Sequence, residues 1–343
     1  METAPERRDR DARDGDRIRV VFFGTPEFAV PSLEALATDP AFTVVAVVTQ
    51  PDRPSGRGRR MEASAVKRSA AGLDLPLYQP PTLRDAAFRR PLEEMDADLF
   101  VVAAYGLIFG PRTLAIPRVA CVNLHASLLP NYRGASPISA AILAGDERTG
   151  MSLMVMEPGL DTGPVIATVD EEIRADDTTA TLTARLAARA AALATRALPP
   201  FVRGETVALP QPSGATLTRP LTKADGWLDW QLPAEDLERR VRAMWPWPRA
   251  WTTTGADPIQ MHRATALPGR RGDVPGTVRV DDGTPVVACG QGVLRLDALQ
   301  MAGGRTISGP EAARGRRLRD GDLLGTNLPP LPPPLLQEVD ASR

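Results

Sequence analysis

The chain has 343 residues, of which 43% are hydrophobic and 24% charged, which excludes a disordered chain or a tiny cross-linked scaffold and predicts two domains with short tails. A formal net charge of −1 excludes a protein that coats nucleic acid over its whole surface, while leaving room for local basic patches. The two cysteines, Cys121 and Cys289, lie far apart without CxxC or Cys/His spacing, so neither a disulfide framework nor a metal site is expected, and a reducing cytoplasm fits.

The first 17 residues carry five Arg and six Asp/Glu and no apolar block, which argues against a secretory signal or an acid-poor presequence. Residues 1–17 read as a disordered tail. From Ile18 apolar runs alternate with helical stretches, the runs being 18–23, 43–49, 98–104, 121–124 and 151–156. Nearly continuous apolar character, with spacers long enough for a crossover helix, is the pattern of parallel strands buried on both faces. A doubly wound α/β domain with a mostly parallel sheet is therefore expected over 18–203. Its last element is a helix over 178–198, capped by Asp176 or Asp177 and stopped by Pro199 and Pro200. No run of 18 apolar residues occurs, so no membrane span is expected.

Residues 204–220 mix Pro, Gly, Gln, Ser and Thr without period and read as a linker. A second domain is expected over 221–326. All five tryptophans (Trp227, Trp230, Trp245, Trp247, Trp251) fall there, beside a helical stripe of Leu237, Val241, Met244 and Trp245. Runs 277–280, 285–289 and 293–299, separated by Asp282-Gly283 and Gly290-Gln291-Gly292, predict a small β-barrel with one helix. Residues 327–343, with five prolines in 329–334, read as a disordered or polyproline tail.

Only two histidines occur, His125 and His262. His125 lies in Asn123-Leu124-His125 at the carboxyl end of an apolar strand, where open α/β sheets place ligands. Strand alternation puts Asn123 and His125 on one side. A catalytic pair and a structural, hydrogen-bonded pair are equally compatible with this pattern alone. Ser127-Leu128-Leu129-Pro130 follows, and Gly159-Leu160-Asp161-Thr162-Gly163 is expected as a second loop at the same carboxyl edge. Asp161 could complete a general acid/base site with Asn123 and His125, or simply form the turn. No GxGxxG or GxxxxGK[ST] occurs, so neither a dinucleotide nor ATP is supported.

The block NLHASLLPNYRGASPI together with GLDTG resembles the active-site signature of the folate-dependent formyltransferases. FGTPEF after the first strand, QPDRPSGRGRRM after the second and AYGLI at the end of the run 98–104, with GWLDW and PWPRAW in the second domain, are similar to the branch of that family acting on methionyl-tRNA. The resemblance spans roughly residues 18–325 and implies a Rossmann-like formyltransferase domain followed by an OB-like, tRNA-binding barrel. It implies 10-formyltetrahydrofolate as donor, methionyl-initiator tRNA as acceptor, no metal, and a cytoplasmic monomer serving translation initiation. Asn123, His125 and Asp161 would be catalytic, and the pterin would lie among Leu107, Ile108, Ser127, Leu128, Leu129 and Pro130. Leu107 and Ile108 can equally be core packing.

Residues 52–68 hold six basic and two acidic residues, and 305–319 five basic and one acidic. Such runs are ordinarily solvated surface. The resemblance nonetheless points Arg53, Arg57, Arg59 and Arg60 at tRNA phosphates. The tryptophans could stack bases or fill the barrel core. Asn131-Tyr132 stands where many members have Arg-Trp or similar, and Ala135-Ser136-Pro137-Ile138-Ser139 where they have Ala-Ala-Pro-Ile-Gln, which alters the pocket rim. Two rival readings share parts of this pattern: a formyltransferase for a sugar-nucleotide amine and a non-catalytic tRNA-binding module.

Overall fold

The computed structural model describes residues 17–55, 60–269, 274–326 and 329–338, the side chains of Ser55 and Arg60 excepted. In chain order it contains β1 (Ile18–Gly24), α1 (Val30–Thr38), β2 (Phe42–Val48), β3 (Arg53–Ser55), β4 (Arg60–Glu62), α2 (Ala65–Gly72), β5 (Leu77–Tyr78) and α3 (Ala86–Glu94). Then follow β6 (Leu99–Ala103), α4 (Pro111–Leu114), β7 (Ala120–His125), β8 (Arg133–Gly134), α5 (Pro137–Ala144), β9 (Arg148–Val155), β10 (Val165–Glu172) and α6 (Thr179–Val202). The remainder is β11 (Thr216–Thr218), α7 (Ala234–Ala243), β12 (Ala250–Thr254), β13 (Asp257–Leu267), β14 (Val278–Asp281), β15 (Thr284–Ala288), β16 (Val293–Met301), β17 (Thr306–Ser308), α8 (Gly309–Arg314) and β18 (Leu336–Glu338). Two compact units result, both discontinuous in sequence: Met1–Pro130 with Gly150–Glu171 and Ala184–Ser213, and Asn131–Thr149 with Glu172–Thr183 and Gly214–Arg343.

The first unit is built on a sheet of order β10-β9-β7-β6-β1-β2-β5. Strands β5, β2, β1, β6 and β7 are parallel neighbours, as their unbroken burial requires. Strand order reverses at β1, so the chain leaving β1 and that leaving β6 diverge, the arrangement that opens a crevice at the carboxyl edge. Phe23 anchors the crevice floor, its ring 5.0 Å from Phe100, 5.4 Å from Tyr105 and 5.0 Å from Phe109. The Tyr105 carbonyl, just beyond β6, accepts from Thr25 Oγ1 at 3.0 Å and from Gln50 Nε2 at 2.7 Å. The exits of three adjacent strands are thereby tied together.

Two expectations are corrected here. The run 151–156 was read as a further parallel strand, yet β9 is antiparallel to β7, with His125 opposite Ser152 and Val122 opposite Val155. Both faces of β9 are buried, and an apolar run reports burial, not direction. Pro199 and Pro200 do not stop α6, which continues to Val202. They sit in its closing turn, where their carbonyls accept from the amides of Arg203 and Glu205. The cap is Thr178, whose Oγ1 accepts from the Thr181 amide at 3.3 Å, while the Asp177 carboxylate takes the Arg174 amide and the Thr181 hydroxyl.

The second unit carries an antiparallel sheet of order β12-β13-β16-β15-β14, with β17 on β16. Asp282 and Gly283 both have positive φ, 46° and 75°, as a tight hairpin turn between β14 and β15 requires. Leu323 and Leu324 bridge Thr277 and Thr254, next to β14 and on β12 respectively, so a short segment joins the two sheet edges and removes their unpaired backbone groups from water. α7 buries Ala234, Leu237 and Val241 and places Glu235 and Asp236 in its first turn and Arg240 and Arg242 in its last, matching the helix dipole. Trp227 and Trp230 are core residues, whereas Trp247 is 54% exposed.

The segments expected as a linker and as a C-terminal tail carry regular pairing. Residues 1–16 lie outside the described residues. The stretch 204–220 contributes β11 and an isolated bridge from Leu209 to Val165. In the Pro-rich tail, β18 pairs antiparallel with β11; Leu336-Gln337-Glu338 follows the last proline and keeps the amides a strand needs. Phe23→Ala should cost ~3–5 kcal/mol of stability, read by denaturant unfolding with a first-unit fluorescence probe. A loss below ~1 kcal/mol would show that the aromatic cluster is not what anchors the carboxyl edge.

Candidate active site

β7 places Asn123 and His125 on one side because they are two residues apart. Asp161 faces both: Asn123 Nδ2 lies 3.4 Å from its Oδ1 and His125 Nδ1 3.5 Å from its Oδ2. The His125 and Asp161 side chains are 6% and 16% exposed. At these lengths the contacts are longer than ordinary hydrogen bonds.

The route by which Asp161 arrives differs from expectation. Because β9 runs antiparallel, the chain leaves it at the amino end of β7, where the Met156 amide donates to the Cys121 carbonyl. The 156–164 loop then returns along the sheet to bring Asp161 to the two β7 side chains, instead of starting from the carboxyl edge. Asp161 has φ 52°, a left-handed conformation that a short polar side chain tolerates. Its backbone thus makes the turn while its carboxylate faces Asn123 and His125. Gly163 permits the return: a Cβ there would lie 1.9 Å from the Val155 carbonyl oxygen.

Two residues missed in the sequence hold these loops. Gln211 Nε2 donates to the carbonyls of Asp161 at 2.8 Å and Gly163 at 2.7 Å, although it lies in the expected linker and carries no local signal. Ser152 Oγ donates to the Ser127 carbonyl at 2.7 Å and accepts from the Leu129 amide at 3.0 Å. A lone serine inside the apolar run Met-Ser-Leu-Met-Val-Met was its available signal.

The six residues expected around a pterin divide. Ser127 is fully buried, Leu129 is buried, and Leu128 and Pro130 are half-buried. Leu107 packs against the core beneath the crevice, so the packing reading holds for it. Ile108 is 78% exposed, as is 57% of Leu160 next to Asp161. Two large apolar side chains held open to water on loops of this unit suit a flat ligand with an apolar face.

Of the four arginines, Arg53 is exposed on β3, which pairs with β4 through Arg53–Glu62, Pro54–Met61 and Ser55–Arg60. Arg57 and Arg59 lie outside the described residues, and of Arg60 only the backbone is described. The root of this hairpin is braced by Asp52, which accepts from Lys67 Nζ at 2.7 Å and Gln79 Nε2 at 2.8 Å. These bonds hold the half-buried Asp52 carboxyl below its usual pKa. Cys121 and Cys289 are both free thiols. Among the described residues, no helix is long and apolar enough to cross a membrane.

Residues 17–198 match the formyl transferase family and residues 220–317 its C-terminal domain. A methionyl-tRNA formyltransferase of Stenotrophomonas maltophilia is 47% identical over 304 residues, covering 88% of this chain and 98% of the relative. The chain belongs to the methionyl-tRNA formyltransferase family. Another family member, from Thiobacillus denitrificans, is 46% identical over 313 residues, covering 90% of this chain and all of that one. Among solved structures, the sugar 3N-formyl transferase WlaRD, determined with dTDP and 5-N-formyl-THF, superposes with a TM-score of 0.62 at 14% identity, covering 85% of this chain and 100% of that one. HypX from Aquifex aeolicus in complex with tetrahydrofolic acid gives 0.59 at 15% identity, over 86% of this chain and 47% of that one. These two share the fold. The enzyme is a methionyl-tRNA formyltransferase of two domains, a mostly parallel Rossmann-like sheet and an antiparallel C-terminal domain.

Gln211→Ala should leave the protein folded and lower kcat by about tenfold, because the Asp161 loop loses two of its hydrogen bonds. Wild-type kcat in a folded Gln211→Ala protein would mean that the loop holds Asp161 without it.

Proposed function

We propose that the protein transfers the formyl group of 10-formyltetrahydrofolate to the free α-amine of methionyl-initiator tRNA, the reaction that prepares the initiator for translation. The observation that carries this reading is one carboxylate set between an amide and an imidazole on a single strand. The donor supplies a carbonyl carbon activated by a nitrogen leaving group. His125 accepts through Nε2 the proton that the amine sheds as it bonds to the formyl carbon, while Nδ1 faces Asp161, and returns that proton to the folate nitrogen as the bond from that nitrogen to the formyl carbon breaks. Asn123 turns its amide N–H groups toward the formyl oxygen as charge builds there. Asp161 fixes the imidazole ring and the amide in these orientations.

The folate's ring system is assigned to Leu107, Ile108 and the Ser127-Leu128-Leu129-Pro130 segment, with the exposed Leu160 as a further apolar side chain. Arg53, Arg57, Arg59 and Arg60, in the sequence that follows β2, are assigned to the acceptor-end phosphates, where guanidinium groups pair two oxygens at once. We assign the catalytic region to 18–203, the connecting segment to 204–220 and the tRNA-binding barrel to 221–326, acting as a monomer in the cytoplasm.

His125→Ala and Asn123→Ala should each lower kcat by ~10²-fold or more with folate binding retained. A folded variant at near-wild-type rate would remove that residue from the mechanism. The decisive assay supplies the formyl donor with charged initiator tRNA, charged elongator methionine tRNA or an amino-sugar nucleotide. Transfer should favour the initiator by at least about tenfold. Transfer to the amino sugar alone would overturn the tRNA assignment, and binding of tRNA without transfer to any acceptor would overturn the catalytic one.

A further inference from the structure

The C-terminal domain of the family ends its match at residue 317, yet the chain continues and residues 329–338 are built into the second unit at three separate places. First, β18 pairs with β11 through Thr216–Glu338, Leu217–Gln337 and Thr218–Leu336. On its other edge β11 pairs in parallel with β8, Leu217 with Arg133 and Thr218 with Gly134. Second, Arg219 donates to the Pro333 carbonyl from Nε at 3.0 Å and Nη2 at 2.6 Å, while the same guanidinium grips Asp225 at 2.6 and 2.9 Å. The Asp225 side chain is only 7% exposed, so the guanidinium is fixed in place before it reaches the tail. Third, Leu335 packs against a cluster of Tyr132, Ala140 and Ala141.

Two of these attachments reach the segment that follows the proposed catalytic turn, Ser127–Pro130: β11 carries β18 on one edge and β8 on the other, and Leu335 meets Tyr132, while the Arg219 bonds hold the tail beside the end of β11. Pro130 is succeeded directly by Asn131, and the Tyr132 amide donates to Thr216 Oγ1 at 2.7 Å. Thr218 is buried; its Oγ1 donates to the Arg133 carbonyl at 3.0 Å and accepts from the Ser136 amide at 3.1 Å. Gly134 has φ 100°, and a Cβ there would lie 2.2 Å from the Thr218 carbonyl oxygen, so the approach of β8 to β11 leaves no slack. A sheet whose strands are two or three residues long is marginal alone, and its middle strand depends on the outer one. Prolines before β18 restrict the free chain to extended forms and lower the entropy lost on docking.

We propose that residues 329–338 are a strap that fixes the 131–136 segment and, through the chain continuity at Pro130, the catalytic turn, with Arg219 and Leu335 as positioning residues for formyl transfer. The kinetic part of this proposal rests on the formyl-transfer reading; the structural part does not. Two proteins test it: a chain ending at residue 328, and the full chain carrying Leu335→Asp. Both are read by hydrogen exchange over 131–136, by kcat and KM for donor and charged tRNA, and by thermal midpoint. Exchange over 131–136 should quicken by about tenfold or more while β1 and β2 stay protected. kcat should fall by about tenfold with the midpoint little changed. A synthetic peptide of residues 329–343 should restore the shortened chain saturably, and Leu335→Met should behave as wild type.

Unchanged exchange over 131–136 overturns the strap. Faster exchange with unchanged kcat overturns its role in positioning, as does a fall in kcat that neither the peptide nor Leu335→Met recovers. If the shortened chain does not fold, Leu335→Asp alone decides, since Leu335 is half-exposed and its replacement opens no core. Should the wild-type chain form no formyl-methionyl-tRNA, the proposed function fails while the exchange measurement still judges the strap.

Discussion

A carboxylate and an imidazole held within 3.5 Å of each other and mostly out of water lose hydration that only neighbouring polar groups can replace. Here β7 contributes two of the three groups at no extra conformational cost, because strand alternation already aims Asn123 and His125 the same way. The third must be delivered by a loop, and a loop is the least rigid carrier available. Hence the surrounding structure is largely devoted to stiffening: Gly163 lets the loop lie against the Val155 carbonyl, and Gln211 closes two loop carbonyls with one amide. Ser152 does the same for the turn after His125 with a single hydroxyl that both donates and accepts.

The basic hairpin follows the same logic at its root. Lys67, one of only two lysines in the chain, is spent on Asp52 and Gln79, and Gln79 also reaches the Gln50 carbonyl at 3.0 Å. Gln50 in turn holds Tyr105 at the exit of β6. A continuous polar chain therefore runs from the hairpin base to the loop that carries Leu107 and Ile108. Such a network restrains the base while leaving Arg53 exposed, which is how a charged probe can reach outward without loosening the crevice behind it.

Much of this arrangement is legible in the sequence because it follows from periodicity. Four of the five parallel strands, β1, β2, β6 and β7, announce themselves as apolar runs, whereas β5, two residues long, does not; Asp282-Gly283 announces its hairpin through the two positive φ values it must adopt. Asn123 and His125 are readable as a pair for the same reason. What escapes is set by tertiary partners. An apolar run such as 151–156 is the same whichever way it points, so the reversal of β9 and the return path of Asp161 cannot be read from it. Gln211 gains its role only from two carbonyls some 50 residues away. Pro199 and Pro200 look like stops because they withhold amides from the preceding turn, yet α6 runs on to Val202 and their own carbonyls accept from Arg203 and Glu205. The tail's prolines suggested disorder, while Arg219, more than 100 positions earlier, supplies a charge-assisted bond to their carbonyl that no local pattern records.

The residues read from the sequence as departures from the family pattern fall in one structural unit, and the three residues proposed as catalytic in the other. Asn131, Tyr132, Ser136 and Ser139 belong to the second unit, whereas Asn123, His125 and Asp161 belong to the first. Each departure with a described side-chain bond is satisfied within its own unit. The Tyr132 hydroxyl donates to Asp146 at 2.6 Å, and burial together with that carboxylate raises the phenol's pKa, so it remains a donor. Ser139 shares a hydrogen bond with Thr179, whose hydroxyl also donates to the Ala243 carbonyl at the end of α7. A change at the rim therefore exchanges partners among 131–149, 172–183 and the helix α7, and the hydrogen bonds that hold Asp161 need not respond. Tyr132 is the one departure that touches the strap, through Leu335. An aromatic ring with a left-handed backbone at φ 58° needs support on both its polar and its apolar side, and this chain supplies the first from Asp146 and the second from its own C-terminal extension.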